Sequence, residues 1–66
     1  MNDETLKKLL NSPEWDYISN KLRELEADYR LLAKQPKVED SDRMMYFFLA
    51  EGIEEALTTP HSWLKN

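Results

Sequence analysis

Few side chains in this sequence could carry chemistry. His61 is the only histidine, and it sits between Pro60 and Ser62 near the C-terminal end. A general base needs partner groups that converge on it and tune its pKa, and none is adjacent in the sequence. Glu51, Glu54 and Glu55 share helical spacing, so 51 lies one turn from 54 and 55. Together they could approach a cation. A hard cation takes about six to eight oxygen ligands, and zinc favours histidine or thiolate, so one acidic helix falls short of either. There is no cysteine, hence no thiolate nucleophile, disulfide or thiolate metal site. Ser12 and Ser41 stand where helices should begin, and the single glycine, Gly52, makes no phosphate loop. A substrate pocket would also take core from a chain of 66 residues. The expectation is a protein with no catalytic residues, no cofactor and no metal.

The elements follow from the three prolines. Ser12-Pro13-Glu14 is a helix start: a hydroxyl cap, a proline at the first helical position, and acids facing the positive dipole end. Pro36 pushes Gln35 out of helical conformation, so the spacing predicts a helix over 13–34 and a loop over 35–40. Asp40 or Ser41 then caps a second helix over 41–59, which Pro60 ends, leaving a tail at 60–66. Leu6, Leu9 and Leu10 mark a short helix at about 3–10, too short to hold its shape alone. The predicted fold is a single all-α domain over 1–66: an antiparallel helical hairpin with a short N-terminal helix, expected to be oligomeric.

In the first long helix Trp15, Ile18, Leu22, Leu25, Tyr29 and Leu32 alternate at three and four residues, the spacing of knobs-into-holes packing. Glu26 and Arg30 form an i,i+4 pair on the charged remainder. In the second long helix Met45, Tyr46, Phe48, Leu49, Ala50, Gly52, Ile53, Ala56 and Leu57 sweep roughly 200°, more than one neighbouring helix covers. Leu22 and Leu49 are expected in the core. Gly52 beside Ala56 suggests a stripe where another backbone comes close. Met44 and Phe47 fall outside the arc among acids. With Trp63 and Leu64 of the tail they are the expected anchor for a partner protein.

Thirteen acids against nine bases give a net charge of −4, and the imbalance sits between Val38 and Thr59, where six acids meet one base, Arg43. That balance repels phosphate and argues against nucleic acid. The longest apolar run, Met44 to Ala50, is far short of the roughly 20 residues a bilayer span needs. The acidic Asn2-Asp3-Glu4 start is unlike a signal peptide. A soluble protein, not secreted by a signal peptide and not membrane-bound, is expected.

The order of signals is a leucine pair (Leu9, Leu10), Ser12-Pro13-Glu14-Trp15, a long charged helix, a polar loop, Glu51-Gly52-Ile53, and a closing Thr59-Pro60. It resembles a group of small helical phage and prophage proteins encoded among head and portal genes. In that group the second helix is usually more charged, whereas here Met44 to Ala50 is apolar throughout. The resemblance implies a virion component or assembly factor in the virion or host cytoplasm. Its partner would be a larger head, portal or tail protein, or further copies of itself. The alternative expectation is an acidic inhibitor that occupies a basic site on a host or phage protein.

Overall fold

A computed structural model describes residues 2–64. The described residues form α1 (Asp3–Leu10), α2 (Pro13–Ala33) and α3 (Asp40–Ser62), with no strand among them. α2 and α3 pack against each other as an antiparallel hairpin, and α1 folds back at its open end.

Each helix start has a local cause. The Asn2 side chain accepts the Thr5 N–H at 2.8 Å and so caps α1. Ser12 Oγ accepts the Trp15 N–H at 3.1 Å and donates to the Leu9 carbonyl at 2.6 Å. One hydroxyl thus closes α1 and opens α2, with Pro13 fixing the entry. Ser12→Ala should lower stability by about 1 kcal/mol. A denaturant titration checks this, and an unchanged midpoint would show that the cap does not hold.

Two expectations about α3 are corrected. Its cap is Glu39, with no side-chain cap bond, rather than Asp40 or Ser41. The turn is secured instead by Arg43, whose guanidinium donates to the Gln35 and Val38 carbonyls at 3.1 and 3.2 Å. The helix also continues past Thr59 to Ser62 with Pro60 inside it. Pro60 removes only the N–H that would reach the Ala56 carbonyl, and Ala56 is exposed, so water can take that acceptor. The end closes with the Trp63 N–H on the Pro60 carbonyl at 3.2 Å and the Leu64 N–H on that of His61 at 3.3 Å. Of the expected tail, 60–62 is therefore helical, and 65–66 lie outside the described residues.

The hairpin seam is rotated from the one that apolar spacing predicts. On α2 the less exposed positions are Trp15, Ser19, Leu22, Glu26, Tyr29 and Ala33, again at alternating four and three. Ile18, Leu25 and Leu32, expected in the seam, are 48, 40 and 41% exposed. On α3 the matching line is Arg43, Tyr46, Ala50, Ile53, Leu57 and Pro60. Ala33 and Ala50, 1 and 0% exposed, explain the rotation: small residues on the facing lines let the helices approach, which larger side chains there would prevent. The stacked Tyr29–Tyr46 rings at 6.1 Å and the edge-on Trp15–His61 contact at 6.4 Å fix the register along the hairpin.

The buried hydrophobic side chains are Leu6, Leu10, Ala33, Ala50 and Leu57. Leu22 is half-buried and Leu49 is 42% exposed, so neither is the core residue that spacing suggested. The molecule is long and thin, 47 × 21 × 15 Å, with a radius of gyration of 15.0 Å. A compact chain of this length would have about 11 Å.

Candidate protein-docking surface

α2 and α3 each carry a second apolar stripe that the hairpin does not use. On α2 it is Ile18, Leu25 and Leu32, seven residues apart and turned roughly 60 to 100° from the seam. On α3 it is Met45, Leu49, Gly52 and Ala56, at spacings of four, three and four, all exposed. Arg30 and Glu54 mark the opposite edge. They pair across the helices at 3.2 Å, while Arg30 also holds Glu26 through Nε at 3.1 Å and Nη2 at 2.9 Å. On each helix the ion-pair residue is turned one way from the seam and the apolar stripe the other. Because α2 and α3 run antiparallel, stripes turned in the same sense share a face. One long face of the hairpin is therefore apolar, and the other is bound by charge. The charged edge contributes little to stability. With the side chains of Arg30 and Glu54 37 and 56% exposed, Glu54→Gln should change stability by less than about 0.5 kcal/mol. A larger drop in the thermal midpoint would show the ion pair to be more than a surface contact.

Gly52 sits in the middle of this face. A Cβ added there would meet nothing within 4 Å, so α2 is not the backbone that a small residue at this position admits. The cross-helix aromatic pairs place Leu32 level with Met45, Leu25 with Leu49 and Gly52, and Ile18 with Ala56. Large and small side chains thus alternate down the face. Phe48, 62% exposed, continues the apolar surface around the back of α3.

The expected anchor is split by the structure. Met44 and Phe47, 57 and 38% exposed, lie near the loop end of α3. Trp63, 57% exposed, and the half-buried Leu64 lie at its other end, roughly 24 Å away at the helical rise. They do not converge on one spot. Trp63 instead joins Leu6, Leu9, Leu10, Trp15, Pro60 and Asp3 around a groove of about 460 Å³ between α1 and the open end of the hairpin. The leucine pair and Pro-x-Trp marked these residues in the sequence, but not their meeting with the end of α3. Of the residues expected to pack helices, Trp15, Leu22, Tyr29 and Ile53 lie on the hairpin seam. Ile18, Leu25, Leu32, Met45, Leu49, Gly52 and Ala56 lie on the open face.

No group of three histidine or carboxylate side chains is placed to hold a metal ion among the described residues. No helix among them is long and apolar enough to cross a membrane. Neither a protein-family model, nor a curated protein, nor a solved structure matches the chain.

Proposed function

We propose that this chain is a non-enzymatic docking protein that completes its own core by packing helices against another protein surface. The observation that carries the reading is the mismatch between surface and core. The chain exposes 5301 Å². A compact monomer of 7.9 kDa would expose about 4,400 Å². The excess, about 900 Å², is comparable to the roughly 800 Å² that each side gives to a standard protein interface. Separately, exposed apolar side chains are laid out along two helices at heptad spacing, the pattern that a helical partner fits.

The setting we propose is phage structure or assembly, with a larger head, portal or tail protein, or the chain itself, as partner. This part rests on the sequence resemblance: the leucine pair, Pro-x-Trp and Gly-Ile in their order. Particles induced from the encoding strain, purified and digested for mass spectrometry, test it. The chain should be recovered in multiple copies per particle. Its absence from particles and from assembly intermediates would remove the phage assignment.

The inhibitor reading draws on the acids of α3. Glu54 is already held by Arg30, which reduces what that face offers a basic partner. Added salt separates the two readings: it should weaken an acidic mimic steeply and leave docking through an apolar face intact.

A further inference from the structure

We infer that the occupant of the open face is a second copy of this chain, so that two hairpins pair about a two-fold axis into a four-helix bundle. The inference rests on the docking reading and names its partner. In a four-helix bundle every helix has two neighbours, so every helix needs two apolar stripes at heptad spacing, one for each. Both α2 and α3 carry two stripes at that spacing, the inner one interrupted by Ser19 and Glu26 on α2 and by Arg43 on α3, the outer one uncharged. Each spends one stripe inside the hairpin and leaves the second exposed on the same side. A partner offering one helix would need only a single stripe centred over the groove between α2 and α3. A partner offering two antiparallel helices matches what is present, and this chain is such a partner.

The charge pattern agrees. The exposed stripes carry no charged residue, so two copies can meet there without burying one, although each has a net charge of −4. Arg30 and Glu54 pair on the opposite edge, clear of the contact. Gly52 and Ala56, with open space at the Gly52 Cβ position, form the shallow part of the face that large side chains of the second copy can enter.

Sedimentation equilibrium of the full chain tests this, with a dimer of twice the 7.9 kDa chain mass expected at low micromolar concentration. Leu25→Glu and Leu49→Glu place charge on the face and should weaken dimerisation at least a hundredfold. Leu31→Glu, on the outer side of α2 where Leu31 is 60% exposed, should leave it unchanged. Circular dichroism at matched concentration reports whether each variant is helical. If the charged variants lose helix, Leu25→Gln, which keeps the size and adds no charge, should still weaken the dimer at least tenfold. Because the two copies carry like net charge, added salt should tighten the dimer. A helical wild-type monomer up to roughly 100 µM would overturn the inference, leaving the docking reading to the particle experiment. So would a dimer indifferent to both Leu25 and Leu49, or one that Leu31→Glu dissolves.

Discussion

Leu57→Ala is expected to remove most of the stability of the isolated chain. Leu57 is 2% exposed and lies on the α3 seam, near the end of the hairpin that α1 closes. Truncating a buried leucine costs roughly 2–5 kcal/mol, from lost transfer energy and from the cavity left behind. A chain of 66 residues has a total stability of only about 3–10 kcal/mol, so the variant should be largely unfolded at room temperature. Thermal melts followed by circular dichroism measure it, at a concentration low enough to keep association from masking the loss. Leu49→Ala is the comparison. At 42% exposed, the same truncation should cost under about 1 kcal/mol in the monomer. Equal effects from the two substitutions would mean that the seam does not run where Leu57 and Ala50 place it.

The second large effect is expected at Ala50, from adding volume. Ala50 is completely buried and Ala33 nearly so, on the facing lines of α3 and α2. Interhelical distance is set by the side chains at the contact, and an alanine at each of these two levels sets it short. Ala50→Leu adds three carbons at a fully buried position, which should force the helices apart and cost about 1–3 kcal/mol. Ala56→Leu makes the same chemical change on the same helix at an exposed position and should be nearly neutral in the monomer. Denaturant titrations of the pair give the comparison directly. A neutral Ala50→Leu would show that the helices are not held at close range there.

The helices were legible because punctuation is local. Ser12 and Pro13 act on their own turn, and Pro36 acts on its immediate neighbours, so the bounds of α2 can be read without knowing what it packs against. The far end of α3 was not legible by the same rule, since a proline in a last turn costs one bond only, and the exposed Ala56 carbonyl absorbs that cost. The seam was misread for a different reason. Spacing finds apolar stripes, but it cannot say which of two overlapping stripes faces the neighbour in the chain. On α2 the hairpin took the line containing Ser19, Glu26 and Ala33, where the small side chains of Ser19 and Ala33 let α3 come close. The more apolar line of Ile18, Leu25 and Leu32 was left open. The same error put Leu49 in the core. Met44 and Phe47 were joined to Trp63 and Leu64 because Pro60 was read as releasing a tail, whereas the helix runs on to Ser62 and carries Trp63 away from them.

The loop at 34–39 has a consequence for the order of folding. α2 and α3 are neighbours in the chain, and Arg43 ties the turn to the first turn of α3. Chain closure there costs little entropy, and contacts between near neighbours form early. The hairpin should zip from Tyr29–Tyr46 toward Trp15–His61, on the microsecond-to-millisecond scale of small helical proteins. The open end is then the last to close and the first to fray. α1, attached through Ser12 and sharing a groove with Trp15 and Pro60, is the latch on that end, so hydrogen exchange should find the slowest amides near the turn rather than at the termini.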